Sequence, residues 1–143
     1  MNRIISFGIP GIPAPQGSKR HVGNGILVES SKRLRPWRAD AIATIQQKAD
    51  EIKCKQITTA VRVYAMFKFP YLKSHCNSKG ILRPASADAH KTSAPDLDKL
   101  LRALFDALTE SGIIRDDALI VEVACAKRYS HVPETYVMLE SVR

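Results

Sequence analysis

Apolar and polar residues alternate most regularly between residues 58 and 70. One side of an extended chain there carries Val61, Val63, Ala65 and Phe67. A period of two residues is typical of a β-strand with one buried face. Segments rich in β-branched or alternating residues predict three further strands, at residues 4–10, 118–129 and 134–142.

Two other segments carry apolar residues at helical spacing. The first runs from Trp37 to about residue 52, just after Pro36, a residue suited to a first helical position. Trp37 is interpreted as a packing anchor, with stacking on a base as the alternative. The second segment runs from about Asp98 to Ser111 and ends at Gly112. Its expected buried stripe is Leu97, Leu101, Leu104 and Leu108, joined by Leu100, Phe105 and Ala107.

The order of these elements predicts the fold class. The chain begins with a strand, a short hairpin with its tip at residues 23–25, a helix and a second strand. A long polar loop over residues 71–94 follows, and after it come a helix and two strands. This order predicts an α/β (α+β) fold with a mixed sheet of about four strands packed against two main helices. We expect residues 1–143 to form a single domain, because 143 residues suffice for one core.

Cysteine and histidine positions give little sign of a soft-metal site. His75, Cys76 and His90 lack the paired spacing of zinc ligands. Three widely spaced cysteines, Cys54, Cys76 and Cys125, favour reduced thiols. We find no export signal and no span for a bilayer, so the expected location is cytoplasmic, without a membrane partner.

The charge of the chain is unevenly distributed. The net charge is +8. Residues 1–95 contain 16 basic and 5 acidic residues, whereas residues 96–143 contain 6 basic and 9 acidic residues. A basic surface around an acidic patch is typical of a protein that binds a polyanion and positions metal ions next to it. The alternative is a solvated basic surface with no nucleic-acid partner.

Four carboxylates stand near the two ends of the second helix: Asp96, Asp98, Asp116 and Asp117. In an extended segment, residues two apart project to one side, so Asp96 and Asp98 are able to converge. Asp98 is also a natural helix N-cap, which is a purely structural alternative. If the two pairs meet, their oxygens form a site suited to Mg²⁺ or Mn²⁺, which can activate water and stabilise charge on a phosphate.

Basic residues accompany this acidic group. Arg102 lies one turn after Asp98 and can contact a phosphate or form an ion pair with Asp106; both interpretations stay open. Lys99 can reach a DNA backbone. Lys19 and Arg20 follow a proline-containing loop that either lies along phosphates or is an ordinary surface turn.

The segment Asp96-Leu97-Asp98-Lys99, then Arg102, Phe105-Asp106-Ala107-Leu108 and Asp116-Asp117 resembles the signature of RusA-type Holliday junction resolvases. The start of the chain, Ile9-Pro10-Gly11-Ile12-Pro13, is also similar to that family's start. The pattern of the family is D-x-D-N, a basic residue, F-D-A-L and a D-D pair before a strand.

The resemblance implies a Mg²⁺-dependent endonuclease that works as a homodimer on branched DNA, cuts opposed strands of four-way junctions and needs no small-molecule cofactor. Asp96, Asp98 and Asp117 would be the essential metal ligands, with Asp116 beside them. Arg102 stands where the family usually has an essential lysine, and Lys99 where asparagine is usual. Arginine keeps the charge but cannot donate a proton at neutral pH.

Three other interpretations stay open. One is a nuclease of the same fold that cuts flaps or other branched DNA. Another is a DNA-binding protein that has lost hydrolysis, in which the acidic residues only cap a helix. The last treats the four carboxylates as unrelated surface groups, which leaves their spacing unexplained.

Overall fold

A computed structural model describes residues 2–17, 19–21, 23, 27–29 and 32–142. Two helices contact each other and share one core with a four-stranded sheet. The strands and helices are β1 (Arg3–Pro10), β2 (Lys19–His21), β3 (Leu27–Glu29), α1 (Leu34–Glu51), β4 (Ala60–Pro70), α2 (Leu97–Ser111), β5 (Ile120–Ser130) and β6 (Glu134–Val142).

The main sheet has the strand order β1-β6-β4-β5. β4 and β5 are parallel, whereas β6 is antiparallel to both of its neighbours, β1 and β4. Because parallel neighbours need a crossover connection, the chain between β4 and β5 contains the long loop and α2. The predicted α+β fold, with one mixed sheet of four strands and two main helices, is confirmed.

The core confirms the alternation that predicted β4. Val61, Val63, Ala65 and Phe67 are all buried. β1 adds three buried residues at the same period, Ile5, Phe7 and Ile9. Trp37 is 4% exposed, so its role as a packing anchor is confirmed.

Helix α2 begins one residue earlier than expected, at Leu97, and its N-cap is Asp96. The alternative that made Asp98 the N-cap is therefore wrong; Asp98 lies inside the first turn. Gly112 ends the helix as predicted, with a left-handed φ of 83° that glycine adopts without strain. The buried stripe is Leu100, Ala103, Leu104, Ala107 and Leu108.

The predicted stripe of α2 is wrong at three positions. Leu97, Leu101 and Phe105 are only half-buried. A helix surface includes residues three and four apart, and the small side chains of Ala103 and Ala107 turn that surface toward the core. Leu101 and Phe105 consequently lie at the edge of the core, where they line a pocket.

Residues 71–94, expected to be the least structured part, contain short ordered elements. These are two 3₁₀ turns, Lys73–His75 and Pro84–Ser86, and a bridge between Cys76 and Leu82. The predicted hairpin is confirmed by the antiparallel pairing of β2 with β3, although Asn24 and Gly25 at its tip lie outside the described residues. All three cysteines are free thiols. None of the helices in the described ranges is long and apolar enough to cross a bilayer.

Candidate active site

The segment before α2 fixes the position of the first acidic pair. Lys127 of β5 donates hydrogen bonds to the carbonyls of Ser93 (2.8 Å) and Pro95 (2.9 Å). Asp96 follows with extended backbone angles, and its Oδ2 lies 3.7 Å from Nζ of Lys99. Asp98 already has helical neighbours. The chain is therefore not extended across Asp96 and Asp98, and their side chains point to different surroundings.

One acidic pocket, of about 320 Å³, contains most of the predicted catalytic residues. It is lined by Asp98, Leu101, Arg102, Phe105 and Asp106 of α2 and by Asp117. The five helical residues are three or four positions apart, which places them on one face of α2. Asp117 comes from a 3₁₀ turn, Asp117–Leu119, that leads into β5. The fold thus brings Asp98, Arg102 and Asp117 together.

Asp116 is the N-cap of that turn. Its Oδ1 accepts a hydrogen bond from the backbone N–H of Ala118 at 2.8 Å, and this bond is the main reason that the pKa of Asp116 is lowered. A hydrogen bond to Asp116 is the main reason that the pKa of Asp117 is raised, followed by burial and the negative charges of Asp116 and Asp106. Three carboxyl groups therefore repel one another here, and a cation would relieve that repulsion.

Arg102 lies under the loop formed by residues 11–17, which we call the proline loop. Gly17 in this loop has a φ of +97°, and a Cβ built on it would lie 2.6 Å from Nη1 of Arg102. The close approach explains why glycine is suited to this position, since both its backbone angle and its missing side chain are needed.

Asp106 does not form the ion pair with Arg102 that sequence spacing allowed. Among the described residues, its partners are Arg38 of α1, whose Nη2 lies 3.7 Å away, and the side-chain amide of Gln16. Arg38 also contacts Glu110 at 3.6 Å and donates a hydrogen bond to Gln16. Arg102 is therefore left to face the pocket without an ion pair to Asp106.

Gln16 joins the proline loop to both helices. Its backbone N–H donates to the carbonyl of Lys99 at 3.0 Å, and its side chain lies between Arg38 and Asp106. Sequence reasoning missed Gln16 and Gly17, because their partners are far away in the chain and no local periodicity connects them.

A larger cavity, of about 600 Å³, lies beside the first turn of α2. We call it the proline–aromatic cavity; Asp96 and Lys99 line it, whereas Asp98 does not. Its other lining residues are Ile12, Pro13, Pro15, Arg33, Phe69, Pro70, Leu72, Lys91, Ala94, Pro95 and Tyr129. Asp96 therefore lines this cavity and is not among the residues that line the acidic pocket with Asp98 and Asp117.

Lys19 and Arg20 lie on β2, whose backbone pairs with β3. Their side chains lie outside the described part of the chain, so their predicted contact with DNA stays a prediction.

The donor set of the acidic pocket fits a hard cation. Within the described ranges, no three Asp, Glu, His or Cys side chains converge tightly enough to hold a metal ion by themselves. Mg²⁺ does not require such a cage, because it typically uses one or two carboxylates, several waters and the phosphates of its substrate. Asp98 and Asp117 supply two carboxylates in one pocket.

Two comparisons place the chain among known proteins. The family model described as "Endodeoxyribonuclease RusA" matches residues 10–140. The Bacillus subtilis (strain 168) protein named "Uncharacterized protein YqaN" is 30% identical to the chain, and the alignment covers 96% of each of them. The family match includes every residue of the acidic pocket and of the proline loop.

Proposed function

Because the chain belongs to the RusA endodeoxyribonuclease family, we propose that it resolves four-way (Holliday) DNA junctions by paired, Mg²⁺-dependent phosphodiester hydrolysis in recombination and repair. The observation that carries the proposal is the acidic pocket, where Asp98 and Asp117 meet beside Arg102. An endodeoxyribonuclease needs this combination, since the attacked phosphate is an anion and the attacking water is a weak nucleophile.

Asp98 and Asp117 are the proposed central metal ligands, with Asp96 as a third. A bound Mg²⁺ supplies a more acidic water and neutralises charge on the phosphate and the leaving oxygen. Asp96 is in an exposed ion pair with Lys99, and it would exchange that partner for the cation. Asp116 lies next to Asp117 and raises its pKa, and we assign Asp116 a supporting role beside the metal.

Arg102 is proposed to bind the scissile phosphate. Its guanidinium carries a permanent charge and two parallel donors that match phosphate oxygens. Asp106 pairs with Arg38 and not with Arg102, which supports the proposal that Arg102 binds substrate. Since arginine does not lose its proton near neutral pH, we assign it charge stabilisation and not proton transfer.

Lys19, Arg20, Lys99 and Arg102 are the proposed DNA contacts. The excess of cations in residues 1–95 supports a protein that holds the phosphate backbone around the acidic pocket. We further propose a homodimer, because a junction with approximate two-fold symmetry requires two active sites related by the same symmetry. The substrate agrees with the expected cytoplasmic location.

The test compares cleavage of three labelled DNAs, a four-way junction, a flap and a linear duplex, with and without Mg²⁺. Wild type, Asp117→Asn and the control Asp50→Asn are used; Asp50 is an exposed carboxylate near the end of α1. We expect wild type and the control to cut the junction symmetrically, only with Mg²⁺, and Asp117→Asn to bind without cutting.

Other outcomes assign other functions. Preference for the flap would identify a branched-DNA nuclease of the same fold. Junction binding by wild type with no cutting under any divalent cation would identify a DNA-binding member of the family that has lost hydrolysis, and would overturn the enzymatic proposal.

A further inference from the structure

The proposed hydrolysis uses only Asp96 and Lys99 of the residues that line the proline–aromatic cavity, and it gives the rest of the cavity no role. Its volume of about 600 Å³ lies within the range of about 300–1,000 Å³ that is usual for small-molecule sites. One wall is the proline loop, with Ile12, Pro13 and Pro15, and another is formed by Phe69 and Tyr129 at the ends of β4 and β5. A cavity with flat, apolar walls accommodates a planar ring better than it does a phosphate backbone.

Positive charge is concentrated at this cavity. Arg33, Lys91 and Lys99 line it, and its carboxylate, Asp96, is paired with Lys99. Nζ of Lys91 lies 4.6 Å from the ring centroid of Phe69 and 5.5 Å from that of Tyr129. No carboxylate among the described residues lies within ion-pair distance of Lys91, so the cavity has a surplus of positive charge. An anion that carries an aromatic ring is complementary to it.

Burial lowers the pKa of Lys91, and the nearby charge of Lys127 lowers it further. Both effects arise because the Lys91 ammonium lies beside the rings of Phe69 and Tyr129 and, in the described part of the chain, has no carboxylate within ion-pair distance to balance its charge. An entering phosphate would therefore relieve an existing electrostatic cost, in addition to the contacts that it makes.

The position of the cavity identifies the source of such an anion. Asp96 and Lys99 belong to it, and Asp98 and Arg102, on the same two turns of α2, belong to the acidic pocket. A DNA strand whose scissile phosphate lies at Asp98 and Arg102 places a neighbouring nucleotide beside Asp96 and Lys99.

We propose that the proline–aromatic cavity holds the base of one unstacked nucleotide next to the scissile phosphate, with Lys91 and Lys99 at that nucleotide's phosphate. The inference rests on the proposed function, because it requires DNA in the acidic pocket. A base inside a continuous duplex cannot enter a cavity, whereas branched DNA offers unstacked bases at the branch point at little cost. The cavity would thereby favour branched over linear DNA.

The test places the fluorescent base analogue 2-aminopurine at successive positions around the cut site of a four-way junction. The protein carries Asp117→Asn so that the DNA stays intact. We expect fluorescence to rise at one position, since the analogue is brighter when it leaves the base stack, and to lose most of that rise with Tyr129→Ala or Ile12→Ala. These two residues belong to different walls of the cavity, so the result does not depend on one variant folding.

Affinity measurements with a missing base give a second readout. With an intact junction, Tyr129→Ala should weaken binding about tenfold, the usual size of one base–aromatic contact. With an abasic nucleotide at the responsive position, wild type and Tyr129→Ala should bind equally. Tyr64→Ala is the matched control, because Tyr64 is an exposed tyrosine of β4 that is not among the residues lining the cavity.

Several outcomes would overturn the inference. The base site would be refuted, and the proposed function left intact, if wild type cuts junctions but the fluorescence of the Asp117→Asn complex rises at no position. A rise that is equally large in Tyr129→Ala and Ile12→Ala would have the same meaning. Loss of the fluorescence change on adding deoxynucleoside monophosphates, with the junction still bound, would assign the cavity to free nucleotides. A wild-type protein that binds no branched DNA would refute the base site and the proposed function together.

Discussion

The acidic pocket and the proline–aromatic cavity share two turns of α2 and have opposite chemistry. The pocket contains three carboxylates and one arginine, whereas the cavity contains three cations and one carboxylate among apolar walls. Asp96 and Asp98, only two residues apart, belong to different sides of this division. The first turns of one helix can therefore contribute to two sites of different chemistry, because the helical backbone directs neighbouring side chains toward separate surroundings.

The largest expected effect separates cutting from binding. Asp98→Asn should lower the rate of junction cleavage about a thousandfold, because it removes a proposed ligand of the cation that activates water. Affinity for the junction, measured by gel shift, should stay within a few-fold of wild type. Equal loss of affinity and rate would show that the acidic pocket is a binding surface and not a catalytic site.

Arg102 tests how the acidic pocket uses positive charge. Arg102→Ala should lower the cleavage rate at saturating DNA about a hundredfold, and Arg102→Lys should restore most of it, because lysine also neutralises a phosphate oxygen. Single-turnover rates would measure both variants. If Arg102→Lys exceeded wild type strongly, a proton-donating role of the family's usual lysine would be indicated.

Gly17 links the two regions, because its loop also forms a wall of the cavity. Gly17→Ala should lower the free energy of unfolding by about 1–3 kcal/mol, since alanine disfavours a φ of +97° and its Cβ would meet the guanidinium of Arg102. Urea titration would measure this loss. Gly11→Ala is the control: it has a φ of +93° but nothing within 4 Å, so it isolates the backbone contribution from the contact.

Lys91 tests the charge of the cavity. Lys91→Ala should weaken junction binding several-fold and reduce the slope of log affinity against log salt by about one, as expected when one phosphate contact is lost. Lys79→Ala, an exposed lysine in the same loop, should change neither quantity measurably. Identical slopes for the two variants would mean that Lys91 does not contact a phosphate.

The smallest expected effect concerns the boundary between the two regions. Lys99→Asn removes the ion pair that holds Asp96 beside the cavity. Exposed pairs contribute about 0–1 kcal/mol, so the Mg²⁺ concentration for half-maximal cleavage should fall by about fivefold or less. An increase in that concentration would show that Asp96 is not a metal ligand.

Sequence patterns predicted the parts of this fold that depend on local periodicity. The strand with Val61 to Phe67 and the helix end at Gly112 were correctly predicted, because burial alternation and glycine's left-handed φ are encoded by adjacent residues. The face of α2 was predicted less well. Ala107 is buried as predicted, but Ala103, which was not predicted, is buried too, whereas Leu97 and Leu101 lie at the edge of the core.

The candidate site was only partly predictable, for a different reason. Asp98, Arg102 and Asp117 line one pocket, as expected of them. Helical spacing explains why Asp98 and Arg102 share a face of α2, whereas Asp117 comes from a separate turn before β5. Whether they are the catalytic and metal-binding residues stays a prediction. The ion pair between Arg102 and Asp106, one of the two interpretations left open, is not formed. Asp106 instead pairs with Arg38 of another helix, a contact that local spacing cannot predict.

The pairing of β1 with β6 has a consequence for how the protein is made. Arg3 pairs with Ser141, and Pro10 pairs with Glu134, so within the described ranges β1 has one sheet neighbour, the last strand β6. Synthesis proceeds from the N-terminus at about 5–20 residues per second, so β1 waits for seconds before that partner emerges from the ribosome. The proline loop that follows β1 contributes Gln16 and Gly17 beside α2, so we expect this side of the site to be completed only after β6 has been synthesised.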